Sequence, residues 1–371
     1  MPFCFMRKIC NVLRNCPQFI APLLVAGLLL LPTAGARGDG MNAAERAWEA
    51  LTNFSLSPPP LLWQTNAPTP ADLAKFDGER AAEAIVLADR AKDFYTEFPG
   101  DPDASRARVT EIQALQTAVH LGATNRLADL LAREQALVQN TNAPEELRYE
   151  LRLDLAGREL TAASASGADM MVALEKAGRE MIKEFPDGPA GYEMLSRVAE
   201  SEDLLKMHDL GKLMADSSGP PELTGIGKGF LRRLNVLGEP LPIAFTAADG
   251  REVNLTTLSN KVVLVDFWGT WCPLCVQEMP ELKKLYEQYH TNGFEIVGIN
   301  FDDDTNAAQR FIKQQDITWP QYFGGKTNNK CAELYSLSYF PYIWLTDRKG
   351  IVQDIRGQEA LAAKVAKLMA E

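Results

Sequence analysis

Apolar and small residues recur every three or four positions through the middle of the chain. Ala81, Ala84, Ile85, Ala88, Ala91, Tyr95 and Phe98 form one such stripe. Met170, Met171, Leu174, Ala177, Met181 and Phe185 form another, and Leu147, Leu151 and Leu155 a third. That spacing paints one face of an α-helix. Strand-like alternation is absent and alanine is plentiful, so 71–216 is predicted to be an all-α domain. After about 238 the pattern changes. Lys261 to Trp268 is an apolar run that reads as a strand buried on both faces. An amphipathic helix is predicted over 273–290, a strand over Phe294–Asn300 and a helix over 305–315. A short helix over 329–336, strands over Tyr342–Thr346 and 351–355, and a closing helix over 358–370 complete it. Strands alternating with helices predict an α/β domain with a mixed central sheet flanked by helices.

The segments between these blocks read as boundaries. Residues 55–70 (SLSPPPLLWQTNAPTP) carry five prolines and no charge, so 37–70 is expected to be a linker. Residues 217–237 are rich in Gly and Pro and are read as a second linker. Two helical segments resemble each other: Glu97-Phe98-Pro99 and Glu184-Phe185-Pro186 each close a predicted helix before a turn into another. They resemble tetratricopeptide-like hairpins, although the spacing is 87 residues instead of about 34. Such an array is expected to bind a partner or to self-associate. His120, before Leu121-Gly122, reads as a helix-end histidine, and His208 as a surface residue.

The first 36 residues have the pattern of a signal peptide. Arg7, Lys8 and Arg14 precede an apolar run from Phe19 to Leu31, and Ala34-Gly35-Ala36 is a small-x-small cleavage site. The run is short for a membrane span, which needs roughly 20 apolar residues. An exported, periplasmic or extracytoplasmic protein is expected, with an uncleaved membrane anchor as the alternative. The chain's formal charge of −11 would become −14 on cleavage, so binding of nucleic acid by bulk attraction is excluded. Cleavage would also remove Cys4, Cys10 and Cys16, leaving Cys272, Cys275 and Cys331. Thiols in an oxidising compartment need a reason to exist.

Cys272-Pro273-Leu274-Cys275 supplies one. It lies where a strand meets a helix, the position of a redox pair. Cys272 falls at the start of the predicted helix, where free amides and the helix dipole stabilise a thiolate, so it is the expected attacking thiol. Cys275, one turn later, is expected to resolve the mixed disulfide. A zinc half-site would need two more ligands, and this domain offers only Cys331 and His290. A sealed structural disulfide is the other rival. Cys331 itself reads as a buried helical cysteine.

Residues 238–371 resemble the thioredoxin superfamily, and within it the extracytoplasmic TlpA/ResA-like thiol–disulfide oxidoreductases. The match runs through Phe245, Asp249-Gly250, Leu255–Leu258, Val263–Cys272, Glu278–Leu282, Val297–Asn300, Trp319-Pro320, Phe340-Pro341 and Ile343–Asp347. The resemblance implies a disulfide-reducing enzyme with no cofactor beyond the Cys272–Cys275 disulfide. Its implied clients are protein disulfides such as those of apocytochrome c or copper-site proteins, and its implied partner is a membrane thiol electron donor. Pro341 matches the family's cis-proline, and Phe340 the substrate-contacting residue before it. Asp266, an ionisable group inside an apolar strand, matches the buried acid that takes the second cysteine's proton. Glu278 matches an acid near the active site of ResA-like proteins. Trp271 and Pro273 are read as substrate platform. Pro273 precedes Leu274 where thioredoxins have Gly-Pro, so the potential and the direction of electron flow stay open; reduction is expected. A redox-gated helical scaffold is a second functional reading. A thiol peroxidase is a third, weakened because Gly269 stands where peroxiredoxins need threonine.

Overall fold

The computed structural model describes residues 41–166, 169–201, 203–258, 260–325 and 329–371. The expected signal segment, 1–36, lies outside them. The chain forms two compact units, one ending at Met170 and the other spanning Met171–Glu371. Among the described residues, no helix is long and apolar enough to cross a membrane.

The first unit is helical. It comprises α1 (Ala43–Thr52), α2 (Pro70–Glu97), α3 (Ala104–His120), α4 (Leu127–Gln139) and α5 (Glu145–Ser166). Thr69 accepts from the Asp72 amide and Asp72 reaches back to Thr69, a capping box that starts α2 with Pro70 in its first turn. Ala81, Ala84, Ala88 and Ala91 are buried along α2. Ala88 joins Ile112, Leu115, Leu130, Leu137 and Leu151 in the core. Two glutamates are buried with them, each paired: Glu111 accepts from Arg133 at 3.0 Å, and Glu134 from Arg158 and Gln116. Helix α3 ends at His120, before Gly122 at φ +104°, as the sequence pattern implies. The expectation of an unbroken linker over 37–70 is corrected by α1. Its Asn42–Glu45 capping box starts a helix whose Trp48 and Leu51 pack with Ala91 and Phe94.

The second unit opens with α6 (Met170–Glu184), α7 (Pro189–Ser201), α8 (Leu204–Ala215) and α9 (Pro221–Asn235). Helix α9 occupies most of the stretch expected to be a linker. Its glycines misled the sequence reading, because they serve close packing. A Cβ at Gly227 would lie 2.4 Å from the carbonyl oxygen of Gly211, and one at Gly229 would lie 1.9 Å from Ser336 Oγ. Four helices expected in a separate domain, or as a boundary, therefore share a compact unit with the sheet that follows.

That sheet contains β3 to β7, preceded by a hairpin of β1 (Ala244–Thr246) and β2 (Glu252–Asn254). The unit continues through β3 (Val262–Trp268), α10 (Pro273–Tyr289), β4 (Phe294–Asn300), α11 (Thr305–Gln314) and β5 (Gln321–Phe323). It closes with α12 (Lys330–Tyr335), β6 (Tyr342–Thr346), β7 (Val352–Asp354) and α13 (Leu361–Ala370). The strand order is β5-β4-β3-β6-β7. Strand β3 pairs parallel with β4 and antiparallel with β6, so the sheet is mixed. Every residue of β3 and β4 is buried, which is why both read as continuous apolar runs. Alternate residues of β3 face opposite sides. Val263, Val265 and Phe267 face one core with Tyr335 and Trp344. Val262, Leu264 and Trp268 face another with Cys272, Cys275, Met279 and Leu282.

Candidate active site

Strand β3 ends at Trp268, and α10 begins at Pro273 after four intervening residues. Polar anchors fix the turn between them. Asp302, just beyond β4, accepts from the Thr270 amide (2.9 Å) and from its hydroxyl (2.6 Å). Asn300 donates to the same carboxylate at 2.6 Å. The Phe301 amide donates to Trp268 O at 2.8 Å, and the buried Trp268 indole donates to Gln321 Oε1 at 2.9 Å. Of these anchors only Asn300 falls within the sequence resemblance, and none of Asn300, Asp302 and Gln321 is among the expected site residues. The available signal was polar residues at the ends of buried parallel strands, where α/β sheets carry their sites.

Cys272 is the N-cap of α10, and Pro273 follows it in the first turn, where no N–H donor is needed. Cys272 and Cys275 form a disulfide with Cα atoms 5.3 Å apart. The Cys275 amide donates to Cys272 Sγ at 3.1 Å. Both cysteines are buried in the oxidised state, yet Trp271 and Leu274 beside them are 42% and 57% exposed. The disulfide thus sits under an apolar rim.

The Phe340–Pro341 peptide bond is cis. Phe340 packs against the cluster that holds both cysteines, and its ring meets Trp271 edge-on with centroids 5.2 Å apart. Cys272, Cys275, Trp271, Pro273, Phe340 and Pro341 therefore belong to one neighbourhood. A Cβ at Gly269 would lie 2.6 Å from Trp271 Nε1, so a threonine there would displace the rim tryptophan.

Two carboxyls lie on the strand and helix that flank the disulfide. Asp266 is fully buried in β3, on the strand face that looks toward α10. Burial, reinforced by the charge of Glu278, raises its pKa well above the usual carboxylate range. Glu278, in α10, is half-buried, and desolvation with a contribution from Glu281 pushes it up to about 7. Asp266 Oδ2 and Glu278 Oε2 are buried without a hydrogen-bond partner among the described residues. Glu278 is thus poised to hold or release a proton near neutrality, and Asp266 holds its proton more tightly than an ordinary aspartate.

The rival metal ligands lie apart from this pair. Cys331, in α12, packs against the core on the other face of the sheet, and His290 follows the far end of α10. Burial pushes the Cys331 thiol up to about 11, so it stays protonated at neutral pH.

A disulfide across the first turn of a helix that follows a central strand, with a cis-proline loop packed against it, defines a thioredoxin-fold thiol–disulfide oxidoreductase. Comparison with known proteins narrows the class. The Redoxin family matches residues 237–361. A thiol–disulfide oxidoreductase ResA of Bacillus cereus is 34% identical over 125 residues, covering 33% of this chain and 71% of that protein. ResA of Bacillus anthracis is 30% identical over the same length, with the same coverage. A putative thiol:disulfide interchange protein DsbE from Chlorobium tepidum aligns in structure with 28% identity and a TM-score of 0.33, over 36% of this chain and 97% of that one. The chain belongs, through its C-terminal third, to the ResA family of thiol–disulfide oxidoreductases.

Proposed function

We propose that the protein is an exported reductase of protein disulfides. The observation that carries this is the Cys272–Cys275 disulfide at the start of α10, with the Cys275 amide directed at Cys272 Sγ. In the dithiol state, the helix N-terminus and that amide favour the Cys272 thiolate. The thiolate attacks a client disulfide, forming a mixed disulfide and expelling one client thiolate, which takes up a proton. Cys275 then loses its proton and attacks Cys272 Sγ. The second client thiol leaves, and Cys272–Cys275 is oxidised as the client gains two electrons. Asp266 serves as acceptor of the Cys275 proton, and Glu278 modulates it. Trp271, Pro273, Phe340 and Pro341 form the client platform. No cofactor beyond the dithiol is needed. Apocytochrome c and copper-site proteins are the proposed clients, and a membrane thiol donor restores the dithiol. The basic, then apolar, N-terminal segment supports export. The helices of the first unit serve as a partner-binding array.

The test uses the pre-reduced full chain and a protein disulfide. Cys272→Ser abolishes reduction, and Cys275→Ser accumulates a covalent client complex that dithiothreitol releases. Full activity of Cys272→Ser refutes the mechanism. A Cys272–Cys275 potential near about −120 mV, the range of strong oxidants, reverses the direction of electron flow.

A further inference from the structure

A buried polar cluster lies one residue beyond the cis-proline. Arg233 of α9 is an ion whose side chain is only 1% exposed. A buried charge must be paired. Arg233 donates two hydrogen bonds to Glu200 of α7, at 2.8 and 3.3 Å, and its guanidinium lies over the Tyr342 ring at 5.1 Å. The Tyr342 hydroxyl donates to Glu200 Oε1 at 2.7 Å. The same hydroxyl accepts from the backbone amides of Ser338 (3.2 Å) and Tyr339 (3.0 Å). Arg356 donates to the carbonyl of Ala199 at 2.8 Å, fastening the same end of α7 to the loop after β7.

Apolar side chains of similar volume would hold these helices to the sheet at least as firmly as a buried ion pair. They could not offer directed acceptors to two loop amides. A tyrosine hydroxyl rotates, and its acceptor lone pairs point at the loop only if its proton is held elsewhere. Glu200 holds that proton, and Arg233 holds Glu200. The chain of contacts runs from α9 through α7 to residues 338–341, which end in Phe340 and Pro341.

We propose that Glu200 is a positioning residue for client binding. Through the Tyr342 hydroxyl, it sets the loop that presents Phe340 and Pro341, so helices α7 and α9 are part of the client-binding apparatus of the redox fold. The inference rests on the reading above that this loop contacts a client disulfide. It predicts a larger effect on client binding than on the dithiol chemistry, because the polar cluster reaches the cysteines only through the loop.

The experiment measures KM and kcat of the pre-reduced full chain with a disulfide-linked peptide. A small aromatic disulfide serves as a control, and the Cys272–Cys275 potential is measured in parallel. Glu200→Ala and Tyr342→Phe are expected to raise KM for the peptide about fivefold with kcat nearly unchanged, the signature of lost uniform binding. The potential and the aromatic disulfide rate change by less than the peptide KM. Glu200→Gln, which keeps an acceptor for Tyr342, restores most of the affinity. If Glu200→Ala fails to fold, Tyr342→Phe against Glu200→Gln carries the comparison. An unchanged peptide KM in folded Tyr342→Phe overturns the inference, as does an equal loss in Glu200→Gln. A wild-type chain that reduces the aromatic disulfide but not the peptide overturns the functional reading itself.

Discussion

Glu278 is an acid that the fold keeps partly uncharged, and replacing it by glutamine should stabilise the protein in a pH-dependent way. Desolvation and the nearby Glu281 raise it from 4.5 to about 7. The folded state therefore holds this proton over a pH range in which the unfolded chain has released it. Where the folded state binds more protons, stability falls as pH rises. The penalty is absent below about pH 4.5, grows between 4.5 and 7, and is complete above 7. Such a rise corresponds to a ceiling of roughly 3 kcal/mol. Glu278 is only half-buried, so solvent screening reduces this to about 1–2 kcal/mol. Glu278→Gln removes the ionisation and should match wild type near pH 4. By pH 8 it should exceed wild type by about 1–2 kcal/mol. The assay is urea unfolding of the oxidised full chain from pH 4 to 9, followed by tryptophan fluorescence, to which Trp268, Trp271, Trp319 and Trp344 of the redox fold contribute. A constant offset between the two proteins across this range would refute the reasoning, because it would mean packing and not charge separates them.

Three further outcomes follow from the same geometry. Asp302→Ala leaves the Thr270 amide and hydroxyl without their acceptor; it should cost about 2–3 kcal/mol by urea denaturation and slow reduction of a small disulfide. A fragment starting at 238 exposes the surfaces that α7 and α9 cover on Tyr342 and Ser336, so it should melt below a fragment spanning 171–371 in a thermal scan. Iodoacetamide at pH 8 should leave Cys331 unlabelled in the folded protein and label it fully in urea, read by mass spectrometry, because burial keeps its thiol protonated.

The redox fold was legible because its signals are local. Val262–Trp268 is apolar throughout since both its faces are covered, and Cys272-Pro273 marks a helix start through chemistry that needs no neighbour. Asp266 stood out because a charge inside such a run demands an explanation. The anchors of the active-site turn did not stand out. Asp302, held by Asn300, acts on Thr270 across some thirty residues of sequence, and nothing in their local pattern distinguishes them from ordinary strand-end polar residues. The helix–sheet junction was misread for a related reason. Gly227 and Gly229 are breaker signals when only backbone freedom is considered. In the fold they admit a carbonyl and a serine at distances that no Cβ would tolerate. Proline and glycine told the truth at 55–60 and at Gly122, where no helix covers them, and misled where close packing was the cause.

The two raised carboxyls bear on how the dithiol can work. A proton leaves the resolving cysteine most readily toward a base whose affinity is not far below that of a thiol. An ordinary aspartate is a poor match, and burial of Asp266 in β3 narrows the gap. Glu278 narrows it further, since its charge is the second cause of the rise at Asp266. That help depends on Glu278 being ionised, which happens only as pH passes about 7. The charge on Glu278 therefore bears on how far Asp266 is raised, and a pH–rate profile of resolution should carry the Glu278 titration. Below neutrality Glu278 holds its proton and lends Asp266 no charge. Above it Glu278 is charged, and that charge raises Asp266 further and makes it the stronger base, as the acceptor role proposed for it would need.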